Sequence, residues 1–97
     1  MSISVSTHVL DTAAGRPAGG VEVELWRDDH VLAAGRTDDD GRVSRLAEGL
    51  EPGDYRLVFR PPSPFFREIA LTVGLADGHY HVPLLVSPYG CASYRGI

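Results

Sequence analysis

The chain contains no lysine; all nine of its basic residues other than histidine are arginine. Schiff-base chemistry on a lysine amine is therefore excluded. It has one cysteine, Cys91, so an internal disulfide and a thiolate metal cluster are excluded as well. A lone cysteine is more often a half-buried structural residue than a nucleophile, and Cys91 reads that way. There is no apolar run of the roughly 18–20 residues that a membrane-spanning helix needs, so no membrane partner is expected. Residues 1–8 show neither a basic stretch nor an apolar stretch of the secretory kind, and the protein reads as cytoplasmic. Positive charge is scarce: the net charge of −4 argues against nucleic acid as a partner. No Gly-x-Ser-x-Gly elbow and no phosphate loop occurs. No window shows an apolar stripe at a 3.6-residue period, so amphipathic helices are not expected.

What is present is alternation. Ile3, Val5, Thr7 and Val9 fall on one side of a strand, and Ser4, Ser6, His8 and Leu10 on the other. After a turn-rich stretch from Asp11 to Gly20, Val21, Val23 and Leu25 alternate with Glu22, Glu24 and Trp26. A third strand is expected over 31–37 and a short fourth over 43–46. Between them Asp38, Asp39, Asp40 and Gly41 form a turn, with Gly41 where φ must be positive. Pro52-Gly53 suggests a type II turn. Tyr55, Leu57 and Phe59 then alternate with Arg56, Val58 and Arg60. The prolines at 61, 62 and 64 exclude a strand or helix interior. Further strands are expected over 67–73, 79–86 and 91–95, with a turn at 76–78. Eight short strands separated by turn signals describe an all-β sandwich. Its 97 residues make one domain, spanning 1–97. A chain of this size buries about 60–65% of its unfolded surface, so association would add to a modest stability margin.

Four histidines are the candidates for chemistry. His30 sits in a charged turn and reads as solvated. His8 lies on the non-core face of the first strand. His79, His81 and Pro83 share one face of the seventh, while Tyr80, Val82 and Leu84 face the core. If those two strands are neighbours, His8 and His81 can approach each other, with Arg42 entering from the Asp-rich turn. Imidazoles exchange protons near neutral pH. An arginine fork binds planar, oxygen-rich anions. Such a set suits attack of water on a carbonyl of a small heterocycle. The same residues also read as structural histidines, a surface arginine, or a His-x-His metal pair lacking its other ligands. Asp38–Asp40 has an acidic run like that of a calcium loop, without the remaining ligand spacing.

Three stretches carry a resemblance. Thr7-His8-Val9-Leu10-Asp11-Thr12 with Gly15-Arg16-Pro17-Ala18 is one, and Thr37 to Arg42 is the second. The third runs from His79 to Gly96, with Ser87-Pro88-Tyr89-Gly90 and Tyr94-Arg95-Gly96. Together they resemble the 5-hydroxyisourate hydrolases, the transthyretin-like enzymes of urate breakdown, over the whole chain. The resemblance implies an all-β transthyretin/prealbumin-like eight-stranded sandwich. It implies hydrolysis of 5-hydroxyisourate to 2-oxo-4-hydroxy-4-carboxy-5-ureidoimidazoline, with His8, Arg42 and His81 as catalytic residues. His8, Arg42, Tyr94 and Arg95 would bind the small-molecule substrate, and Gly96 would line the pocket. It further implies a homotetramer with sites at the dimer–dimer interface and neither metal nor organic cofactor. Two departures stand out. The family ends Tyr-Arg-Gly-Ser, whereas Ile97 stands here. The family also has about ten more residues after the strand at 55–59, including a short helix, so the helix is expected to be missing.

Overall fold

The computed structural model describes residues 2–97. Among these residues nine strands form, in the order β1 (Ile3–Asp11), β2 (Arg16–Pro17), β3 (Glu22–Arg27), β4 (His30–Arg36), β5 (Arg42–Leu50), β6 (Gly53–Arg60), β7 (Ile69–Leu75), β8 (His79–Ser87) and β9 (Gly90–Ser93). No helix forms among the described residues. One sheet has the order β2-β1-β8-β9, with β5 also paired to β1; the other has the order β4-β3-β6-β7. The alternating apolar residues meet between the sheets. Ile3, Val5 and Val9 of β1 and Leu84 and Val86 of β8 pack against Val23, Leu25, Leu57 and Phe59.

Strand count and strand length both differ from the sequence reading. The ninth strand, β2, is a two-residue pairing of Arg16 and Pro17 with the end of β1. The expected short strand at 43–46 runs on to Leu50. Its pairing with β1 shifts register twice, between Ile3/Val5 and Val5/Thr7. Extra residues in a bulge reverse which face follows, so simple alternation ceases after Leu46. Gly53 adopts φ 150°, well beyond the value of a type II turn, because it opens β6 instead of closing a turn. Cys91 is exposed, not half-buried: it lies on β9, the edge strand of its sheet.

The segment between β6 and β7 folds around Ser63. The backbone N–H groups of Phe65 and Phe66 donate to Ser63 Oγ at 3.1 and 2.9 Å, and Ser63 Oγ donates to the Pro88 carbonyl at 2.9 Å. Three prolines remove the donors a helix would need, and one serine supplies the turn in its place. Phe66 packs against the core, and Phe65 remains exposed beside Phe66 and Tyr89.

Candidate active site

The site depends on one pairing that crosses the chain from end to end. β1 and β8 are parallel neighbours, with Ser4 opposite His79, Ser6 opposite His81 and His8 opposite Pro83. Residues at matching heights on parallel neighbours point to the same face. The inward set is apolar, apart from Thr7, whose buried hydroxyl donates to the Val82 carbonyl at 2.6 Å. The outward set is therefore a ladder of two serines and three histidines. The His8 and His81 rings lie with centroids 6.5 Å apart.

Arg42 arrives from the other edge of β1, where β5 runs antiparallel and places Arg42 opposite His8. The turn before it is built by Asp38. Its carboxylate accepts from the backbone N–H of Asp40 and of Arg42, each at 2.9 Å. Gly41 adopts φ 75°. A Cβ there would lie 2.4 Å from the Val9 carbonyl oxygen, so only glycine fits against β1. The turn aims the Asp40 carbonyl at His8, whose Nε2–H donates to it at 2.8 Å. Neutral His8 thus keeps its lone pair on Nδ1. Arg42 is exposed, its guanidinium forms no ion pair among the described residues, and its charge is felt at His81.

Ser4 and Ser6, which alternation places on the same side of β1 as His8, orient the histidines. Ser6 Oγ lies 2.8 Å from His81 Nδ1 and 2.8 Å from His79 Nε2, and Ser4 Oγ lies 2.7 Å from His79 Nδ1. Both nitrogens of His79 and one of His81 are thereby engaged by hydroxyls, which leaves little of a His-x-His metal pair. The remaining nitrogen of His81, Nε2, is the one available to a ligand. Burial pushes the His81 pKa below its usual 6.5, and the charges of Arg42, His8 and His79 add to the effect. His81 is held neutral, the form that accepts a proton.

The terminal segment splits between two sides of β8. Gly96 returns to the strand: its N–H donates to the His81 carbonyl at 2.7 Å. Its Cα passes so close to the imidazole that a Cβ would lie 2.7 Å from His81 Cδ2. Arg95 goes elsewhere. Its guanidinium stacks 4.0 Å over the ring of Tyr80, on the strand's other face, and donates to the His79 carbonyl at 3.3 Å. Tyr94 is exposed and lines a cleft with Arg95, Tyr80 and β7 residues. Within one chain the fold joins His8, Arg42 and His81 and does not bring the Tyr94 or Arg95 side chains to them. His30 lies on β4 in the other sheet and is exposed.

Residues 5–96 match the model of the HIUase/Transthyretin family. The chain belongs to this family. It is 44% identical over 113 aligned residues to 5-hydroxyisourate hydrolase 2 of Rhizobium meliloti (strain 1021), covering 95% of this chain and 94% of that protein. It is 42% identical over 118 residues to the 5-hydroxyisourate hydrolase of Halalkalibacterium halodurans, covering 99% of each. The solved 5-hydroxyisourate hydrolase of Klebsiella pneumoniae superposes with a TM-score of 0.90 at 32% identity, over 97% of this chain and 98% of that one. Transthyretin from Sparus aurata shares the fold, with a TM-score of 0.85 at 23% identity over 96% of each chain. Alignments of 113 and 118 positions exceed the 97 residues present, so these relatives carry insertions that this member lacks.

Proposed function

We propose that this protein hydrolyses 5-hydroxyisourate to 2-oxo-4-hydroxy-4-carboxy-5-ureidoimidazoline in urate breakdown. The observation that carries the reading is the pairing of β1 with β8, which sets His8 and His81 6.5 Å apart, with Arg42 opposite His8 on β5, in a chain of this family. That spacing admits a water molecule, or the edge of a planar ring, within hydrogen-bond reach of both imidazoles. Neutral His81 accepts the proton of water as its oxygen attacks the C6 carbonyl. The C6–N1 bond then breaks as the departing nitrogen takes the proton of the hydroxyl that water has just added, which leaves a carboxylate. Arg42 holds the heterocycle and offsets the charge that builds on the carbonyl oxygen. The face that carries these groups is open in one chain. A homotetramer, with this face turned to a neighbour at the dimer–dimer interface, would exclude water from it. An exposed, unpaired cysteine accords with a cytoplasmic setting.

The test is to generate 5-hydroxyisourate with uricase and follow its decay with and without the protein. His8→Ala and His81→Ala should each lower kcat/KM by about 10²-fold or more. Near-wild-type turnover by either variant would overturn the assignment. Ile97 supports a second reading, a diverged enzyme for another cyclic amide, because the enzymes it resembles end in serine. A large gain on 5-hydroxyisourate in Ile97→Ser would favour that reading. Tight stoichiometric binding without turnover would favour a transthyretin-type binder instead.

A further inference from the structure

The hydrogen bonds of the outer ladder form one continuous line: Ser4 Oγ, His79 Nδ1, His79 Nε2, Ser6 Oγ, His81 Nδ1. Every link is 2.7–2.8 Å. Each member can both donate and accept, because a neutral imidazole has one nitrogen of each kind and a hydroxyl does both. The line therefore has two self-consistent proton arrangements. In one, every proton points toward His81, which then carries its own proton on Nε2. In the other, every proton points toward Ser4, and His81 carries its proton on Nδ1 with the Nε2 lone pair free. The inner end, at His81 and Ser6, is half-buried to buried. The outer end reaches a small cavity of about 170 Å³ lined by Ser4, Ser44, Arg45, Glu48 and His79.

We propose that Ser6 and His79, with Ser4, form a proton relay that sets the tautomer of His81 and drains the proton His81 takes from water. The proposal rests on the hydrolase reading above. Water gives a proton to His81 Nε2 as its oxygen bonds to the carbonyl carbon. His81 passes its Nδ1 proton to Ser6 Oγ, and Ser6 passes its own to His79 Nε2. His79 passes its Nδ1 proton to Ser4 Oγ, and Ser4 releases one to solvent in the cavity beside Glu48. Opening a cyclic amide to a carboxylate yields one proton per turnover at neutral pH, which is the proton the relay removes. Rotation of the two hydroxyls, exchange at His79, and exchange of the His81 proton from Nε2 back to Nδ1 through solvent restore the starting arrangement.

The charged and titratable groups that face His81 are Arg42 from β5, His8 from β1 and His79 on its own strand. All three disfavour a lasting imidazolium. A relay that moves charge outward answers that constraint, whereas an isolated His81 would have to hold a proton beside the Arg42 cation. Ser6 and His79 act through His81, not on the substrate, and are positioning residues.

Ser6→Ala cuts the line between His79 and His81 and should lower kcat about tenfold to a hundredfold with little change in KM. Added imidazole should restore part of the lost rate in a concentration-dependent way and leave the wild type unaffected. Ser6→Thr, which keeps the hydroxyl, should restore most of it. Nitrogen-15 NMR of the histidine rings should show neutral His81 protonated on Nδ1 in the wild type and moved to Nε2 in Ser6→Ala. Should Ser6→Ala not fold, His79→Ala on the exposed side provides the same imidazole-rescue test. Wild-type kcat in both variants, or a loss that neither imidazole nor threonine repairs, would overturn the relay. So would an unchanged His81 tautomer. The NMR measurement needs no substrate. An inactive wild type would therefore refute the hydrolase reading, while the His81 tautomer would still decide the relay.

Discussion

Gly96→Ala separates the position of His81 from the stability of the fold. The glycine lies one residue from the chain end, and its N–H holds the His81 carbonyl at 2.7 Å. A methyl group there would sit 2.7 Å from His81 Cδ2 and 3.4 Å from Cγ. The first contact falls about 1 Å short of a comfortable carbon–carbon separation. Either the terminal segment lifts off β8 or the ring moves away by a comparable distance. The ring is tied at Nδ1 to Ser6, so a displacement that size breaks or bends that bond. A 1 Å misplacement of a reacting group costs about 10²-fold, equivalent to about 2.7 kcal/mol of barrier. Global stability should hardly change, because Gly96 contributes nothing to the core cluster. The assay is the decay of freshly generated 5-hydroxyisourate, paired with a thermal melt. The expected result is a melting temperature near wild type with kcat/KM down about a hundredfold. Wild-type kcat/KM in a folded Gly96→Ala protein would refute the claim that the site requires His81 where the terminal segment holds it.

Because the His81 pKa lies below 6.5, the acid limb of kcat/KM should fall at a pH below 6.5, leaving activity level through neutrality. Replacing Arg42 by methionine removes one cause of the lowering, so the His81 titration followed by NMR should move to higher pH; a downward move would contradict the assignment. The same shift has a sign for stability. A histidine with a lowered folded pKa favours the unfolded chain as pH falls below the unfolded value of about 6.5, so His81→Gln should flatten part of the acid destabilisation seen in urea melts. Thr37 is buried; its Oγ1 accepts from Val21 N–H at 2.9 Å and donates to the Ala18 carbonyl at 2.7 Å. Thr37→Val strands both backbone groups and should cost about 2–4 kcal/mol in urea unfolding. A loss below about 0.5 kcal/mol would show that water or a rearranged backbone replaces both bonds.

The sequence by itself determined the sandwich, because alternation and turn chemistry are local. Residues two apart in a strand share a face whatever the strand's neighbours are. That is why Ile3, Val5 and Val9 were legible as core and His8 and His81 as lying on the opposite faces of their strands. Gly41 was legible for the same kind of reason, since a tight turn needs positive φ wherever it occurs. Arg42 was legible beside the histidines from its place after the Asp-rich turn; the family resemblance gave it a catalytic role and anticipated the missing helix. What only the tertiary structure decided was register. The parallel pairing of β1 with β8 joins residues more than seventy positions apart, and it alone places Ser6 between His79 and His81. A serine on a polar face carries no mark of what stands across from it. Register likewise lengthened β5 through its bulges. The return of Gly96 to β8 sent Arg95 over Tyr80, to the side away from the histidines. Hydrogen bonds between strands are set by which backbones meet, and that is a property of the folded chain as a whole.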